Sequence, residues 1–185
     1  MKVKGVAIKT TRDFVKTNFP GNYKGWIDSL KPEARKVYSE TINATEWYLI
    51  KEYYLDVINA IAKMFFNGNI RKCGDALGYY SAEIALKGFY KVFLLVASPT
   101  YLIQRATKIV TTYYQPSAVE IVILDSKSAG LKITRFDVID EALEFRFGGW
   151  CKRALELSNC KGVNYTINSS IAKGDEYTEI IFTWD

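Results

Sequence analysis

GNIRKCGDALGYYSAEIALKGFYKVFLLVASP, running from Gly68 to Pro99, is the stretch around which the rest of the chain is organised. Small side chains recur along it every three or four residues, at Gly74, Gly78, Ala82, Ala85 and Gly88, while Leu77, Tyr80, Ile84 and Leu95 carry the bulk. That period predicts one long central helix near 69–97 with a packing ridge of small residues on one side. A glycine inside a helix costs roughly 1 kcal/mol against alanine, so Gly74, Gly78 and Gly88 together concede about 2–3 kcal/mol that close approach of another surface must offset. Three surfaces qualify: a neighbouring helix of the same fold, a second copy of the chain, or a flat ligand. Ser98 and Pro99 then stop the helix and start the next, the serine as N-cap and the proline at the first helical position.

Upstream, Tyr54, Leu55, Ile58, Ile61, Ala62 and Phe65 form an apolar stripe on a helix over 51–66. The short link Asn67-Gly68-Asn69 sets that helix antiparallel to the central one. The first third reads as a short strand at Val3 to Ile8 and brief helices at 12–19, 25–30 and from Pro32 to about Ser39. Phe14, Phe19, Tyr23 and Trp26 are its anchors, fastening an N-terminal helical cap (1–45) to a main body (46–185) within a single domain.

Downstream, a helix from Pro99 to Tyr113 gives way to a period of two. Val119, Ile121 and Ile123 alternate along one strand and Leu131 and Ile133 belong to its return; Val163, Tyr165 and Ile167 pair in the same manner with Ile180, Phe182 and Trp184. Between the hairpins, 138–157 has helical spacing, with a break or bend expected at Gly148-Gly149. Helices, then hairpin, helix and hairpin, make an α+β fold: a helical bundle packed on a twisted antiparallel sheet of about four strands.

With 185 residues, 49% of them hydrophobic, the chain can bury one sizeable core. Its net charge of +5 comes from scattered lysines with no run of like charge, which argues against a nucleic-acid partner. Cys73, Cys151 and Cys160 are odd in number and form no C-x-x-C pair. This points to a reducing compartment. No signal-peptide pattern and no apolar run of membrane-spanning length occurs, so a cytoplasmic protein without a transmembrane segment is expected. The absence of histidine is the sharpest compositional fact. It removes Ser-His and Cys-His nucleophile pairs, histidine metal sites and histidine-ligated haem.

Six aromatic residues near the expected junction of helices and sheet, Tyr79, Tyr80, Tyr113, Phe147, Trp150 and Tyr165, either wall a ligand pocket or fill a core. Cys73 stands near a helix start beside Arg71 and Lys72, a setting that lowers a thiol pKa, so it is either a reactive or acylated cysteine or a buried inert one. Asp140, Glu141 and Glu144 lie at a helix start, where carboxylates serve the cap and macrodipole. No P-loop, G-x-G-x-x-G or G-x-S-x-G motif occurs, and no catalytic or metal-binding set stands out.

Gly78-Tyr79-Tyr80, Leu86-Lys87-Gly88-Phe89-Tyr90, Ser98-Pro99, Tyr113-Tyr114, the run Gly149-Trp150-Cys151-Lys152-Arg153-Ala154-Leu155-Glu156-Leu157, Gly174-Asp175 and Phe182-Thr183-Trp184 resemble a bacterial group. That group is placed with the superfamily of haem nitric-oxide-binding domains, 4-vinyl-reductase-like ligand-binding domains and the small subunits of the TRAPP vesicle-tethering complex. The resemblance runs from about Gly68 to the end. It implies helices packed on a twisted antiparallel sheet, frequent dimerisation and a cavity for a small or lipidic molecule. The haem-binding branch needs a histidine that this chain lacks, so no haem cofactor is expected. The vinyl-reductase-like branch carries two cysteines where Ser170 and Thr178 stand here, which removes a thiolate metal site. The TRAPP branch can carry an acyl chain on a helical cysteine, for which Cys73 is the analogue.

The expectation is therefore a non-enzymatic domain that senses or binds a small apolar ligand and acts through contacts with a protein partner, as a homodimer. A ligand-free homodimeric scaffold and an enzyme with Tyr or Lys as acid–base in an aromatic pocket are the alternatives.

Overall fold

The computed structural model describes residues 1–86 and 98–185. Seven strands and several helices alternate along them. Strand β1 (Lys2–Lys4) runs straight into α1 (Gly5–Asn18), followed by α2 (Tyr23–Ser29) and α3 (Pro32–Ser39). Strand β2 (Trp47–Leu49) leads through a π-helical turn, Lys51–Leu55, into α4 (Asp56–Phe65), and α5 (Ile70–Leu86) comes next. After α6 (Pro99–Tyr113) come β3 (Tyr114–Gln115), β4 (Ser117–Leu124) and β5 (Ser128–Phe136). Helix α7 (Glu141–Leu157), β6 (Asn164–Ser169) and β7 (Thr178–Thr183) complete the chain.

The architecture is α+β, with two antiparallel sheets. The larger has the order β4-β5-β7-β6, so the two hairpins meet through β5 and β7, with Leu131 opposite Ile180. Its inward rows, Leu131, Ile133, Ile180 and Phe182, are buried in the same core as Val57, Ile58, Ile61 and Leu77 of the helices. The smaller sheet, β2-β1-β3, is made of strands of three, three and two residues, too short to carry an alternating pattern, and sequence reasoning missed it.

Local signals explain the boundaries. Pro32 opens α3, and Ser98 caps α6 by accepting the Tyr101 N–H at 3.2 Å. Asp140 caps α7, accepting the Leu143 N–H at 3.0 Å. Two expectations need correction. The strand expected over Val3 to Ile8 ends at Lys4, because the Gly5 and Val6 N–H groups are taken by the carbonyls of Glu46 and Ala44 at 2.9 Å and the chain winds into α1 there. A side chain at Gly5 would run into the Asn43 carbonyl. No break occurs at Gly148-Gly149: α7 continues through both, and each glycine admits a neighbour close to the helix backbone. The portion of the expected central helix beyond Leu86, with Gly88, lies outside the described residues. No helix among the described residues is long and apolar enough to cross a membrane.

Candidate functional site

Helices α5 and α7 cross backbone against backbone. A Cβ built on Gly74 would collide with the Ala142 carbonyl, one on Gly78 with the Arg146 carbonyl, and one on Gly149 with the Asp75 carbonyl. The small-residue ridge at Gly74 and Gly78 is thus covered by α7 of the same chain, and Ala82 is buried beside Ala154 further along the crossing. Ala85, the last described member, is exposed and borders a cavity.

That cavity, about 330 Å³, lies among α1, the C-terminal half of α5, α6, α7 and the inner face of the larger sheet. Its volume falls at the lower end of the ~300–1,000 Å³ usual for small-molecule sites. Ile109 and Val110 of α6, Phe147 and Trp150 of α7, and Leu131 and Ile133 of β5 give it mostly apolar walls. Ile84, more than half exposed, and Arg105, also exposed, lie on its border.

The polar side of the cavity is organised by Arg146, which is only 4% exposed. Its Nη1 donates to Thr11 Oγ1 at 3.0 Å and its Nη2 to Ser81 Oγ at 2.8 Å. Both hydroxyls pass their own protons to helix carbonyls one turn back, Thr11 to Ala7 at 2.9 Å and Ser81 to Leu77 at 2.7 Å. The guanidinium also lies 5.2 Å from the centre of the Tyr54 ring. Among the described residues every partner of Arg146 is neutral. A guanidinium keeps its charge inside a protein, so this is a buried cation with no counter-ion among the described residues.

Tyr54 and Tyr114 share a buried hydrogen bond of 2.9 Å between their hydroxyls beside this group. Burial raises both phenol pKa values above the ordinary 10, with Arg146 pulling the other way. Cys151, on the cavity wall, has its thiol pushed up to about 12 by burial. Cys151, Tyr113 and Tyr114 are the described lining residues that could ligate iron; burial disfavours the Cys151 thiolate and the Tyr114 phenolate, and with no histidine in the chain the donor set does not fit a histidine-ligated haem. Among the described residues no group of three or more His, Cys, Asp or Glu could hold a metal ion.

Of the six aromatic residues singled out in the sequence, Tyr113, Phe147 and Trp150 meet in the cavity wall. The others lie elsewhere. Tyr79 is exposed beneath the Arg153 guanidinium at 4.7 Å, Tyr80 shares a 3.2 Å hydrogen bond with Thr17, and Tyr165 donates to Asp75 Oδ1 at 2.7 Å with its ring against Gly148. Cys73 is fully buried, its thiol donating to the Ile58 carbonyl at 3.7 Å, and burial pushes its pKa up to about 12 despite the Arg146 charge.

Ser170 and Thr178 converge on one carboxylate. Glu144, 1% exposed, accepts from Ser170 Oγ at 2.6 Å, from Thr178 Oγ1 at 2.5 Å and from the Ala172 N–H at 3.3 Å. It pins the turn between β6 and β7 to α7. Arg146 escaped sequence reasoning because one charge in an amphipathic helix reads as solvated surface; its place between Phe145 and Phe147, two residues before a glycine pair, was the available signal.

No protein-family model matches the sequence, and no curated protein does. Solved structures do. An H-NOX protein from Shewanella oneidensis in the Fe(II)NO ligation state superposes with a TM-score of 0.73 at 13% identity, over 98% of this chain and 99% of that one. The Fe(II) unliganded H-NOX protein from K. algicida gives 0.71 at 11%, over 98% and 96%. The Fe(II)CO form of the S. oneidensis domain, determined by NMR, gives 0.70 at 14%, over 98% of both chains. Identities this low speak to architecture alone, and over nearly its whole length this chain has the fold of an H-NOX domain.

Proposed function

We propose that the chain is a small-molecule-binding domain, not an enzyme, which holds an apolar ligand in the cavity between its helices and its larger sheet and acts through contacts with a protein partner. The observation that carries this reading is the cavity itself, about 330 Å³, walled by Ile109, Val110, Phe147 and Trp150 and placed where the two structural layers meet. Two of the structures sharing the fold are recorded with a small ligand, NO or CO, on Fe(II). A ligand other than histidine-ligated haem is indicated here, since the donor set differs. Tyr113, Phe147 and Trp150 contact the ligand body. An acid–base role has little support: the buried Tyr54–Tyr114 pair titrates above the ordinary phenol range, and no lysine is among the described lining residues.

The purified chain, titrated with decanol and retinol, is expected to gain thermal stability. A ligand at 100 times its Kd stabilises the folded state by about 2.7 kcal/mol. For a chain of this size that is roughly 5–10 °C in Tm. Ala106→Phe, which fills the cavity from α6, should abolish the gain while leaving a cooperative melt. A bare polypeptide mass in native mass spectrometry, with no Tm shift for either probe, would overturn the reading and favour a ligand-free scaffold; sedimentation then tests whether that scaffold is a homodimer.

A further inference from the structure

Resting on the ligand-binding reading above, we infer that the cavity selects an apolar molecule bearing a single carboxylate, and that Arg146 is the residue that receives it. The ground is a mismatch in the charges. Removing a cation from water is costly unless an anion or a full set of hydrogen bonds replaces the water. Arg146 is 4% exposed, yet its partners are two hydroxyls and an aromatic face. A guanidinium offers five N–H donors, and these two hydrogen bonds use one from each terminal nitrogen.

No acid among the described residues fills the gap. Glu144, two residues away on α7, is committed to Ser170, Thr178 and Ala172, and Asp140 is committed to the Leu143 N–H at the cap. The described cavity wall contains no Asp or Glu.

The mismatch specifies the ligand. Arg146 lies within an otherwise apolar wall, so the anion that neutralises it arrives attached to an apolar body that fills the space against Phe147, Trp150 and Ile109. One buried guanidinium balances one negative charge. A carboxylate supplies that charge and matches the planar fork of the guanidinium. A phosphate monoester carries about −1.5 to −2 at neutral pH and would leave charge uncompensated in the interior.

The test compares decanoate, decanol and decyl phosphate, which share a ten-carbon body, by isothermal titration at pH 7.5 with wild-type chain and with Arg146→Met. The apolar replacement leaves Thr11 and Ser81 bonded to their helix carbonyls, so the variant is expected to fold, as a cooperative melt will verify. Wild type should bind decanoate at least about tenfold more tightly than decanol, and Arg146→Met should bring that ratio close to one. Equal affinity of wild type for decanoate and decanol overturns the inference without any variant and leaves the apolar cavity standing, as does a preference that survives in Arg146→Met. Tighter binding of decyl phosphate than of decanoate overturns the choice of carboxylate. Binding of none of the three overturns the ligand-binding reading itself.

Discussion

Glu144 and Arg146 stand two residues apart on α7, both buried, and neither is the other's counter-ion. Positions two apart on a helix point to different sides. Glu144 therefore reaches the turn after β6, where two hydroxyls and a backbone N–H satisfy it, and Arg146 reaches the cavity, where its partners among the described residues are neutral. One helix thus carries a structural charge and an unbalanced one, and their consequences on mutation differ.

Glu144→Ala should be strongly destabilising. It leaves the Ser170 and Thr178 hydroxyls and the Ala172 N–H without their acceptor and opens a void at the base of the turn. Unsatisfied buried donors cost about 1–3 kcal/mol each. A loss of roughly 3 kcal/mol or more in urea unfolding is expected, and a change under 1 kcal/mol would mean that the carboxylate is dispensable.

Gly78→Leu should lower stability by more than about 2 kcal/mol, the upper part of the range for overpacking, because the new side chain meets backbone at Arg146 and Trp150 rather than a yielding side chain. An unchanged urea midpoint would show that the α5–α7 crossing can open at no cost.

Cys73 and Cys151 should resist iodoacetamide at pH 8 in the native state. With both thiols pushed up to about 12, only about one molecule in ten thousand carries the reactive thiolate at that pH, before burial is considered. Peptide mapping should find alkylation at half-buried Cys160 first. Rapid modification of Cys73 would instead favour the reactive-thiol or acylated-cysteine reading.

The same shifts give an alkaline limit. Unfolded thiols begin to lose their protons near the ordinary value of 9 while the folded chain holds them to about 12, and the phenols of Tyr38, Tyr54, Tyr114 and Tyr165 are also raised by burial. The native state therefore binds more protons than the unfolded state in that window, and stability, fully present below pH 9, falls as pH rises through it. Each group contributes up to about 1.4 kcal/mol per pH unit. Urea midpoints should be flat from pH 7 to 8.5 and drop by pH 10.5; a flat profile to pH 10.5 would refute the assignment.

The fold was legible where a residue's local and tertiary roles coincide. Ser98-Pro99 caps a helix wherever it stands, and the alternation at Ile180, Phe182 and Trp184 marks both a strand and its buried face. Legibility failed where the two roles part. Gly148-Gly149 looks like a breaker by propensity, yet Gly149 lets the Asp75 carbonyl approach and Gly148 accepts the Tyr165 ring. The candidate site divided in the same way: Tyr113, Phe147 and Trp150 come together because ring size and position suit a wall, whereas the pairing of Arg146 with Thr11 and Ser81 joins residues from three distant segments and leaves no local trace.

The three-residue strand β1 has a role out of proportion to its length. As the middle strand of the smaller sheet it holds Tyr48 through Val3 on one side and Tyr114 through the same residue on the other. It works as a clasp, joining the entry to the π-helical turn and α4 to the exit from α6, two points of the chain with more than a third of its sequence between them. Those two segments have no hydrogen-bonded pairing with each other within that sheet. Whatever loosens residues 2–4 would free both at once, so α6, which borders the cavity, depends for its placement on a strand that supplies none of the described lining residues.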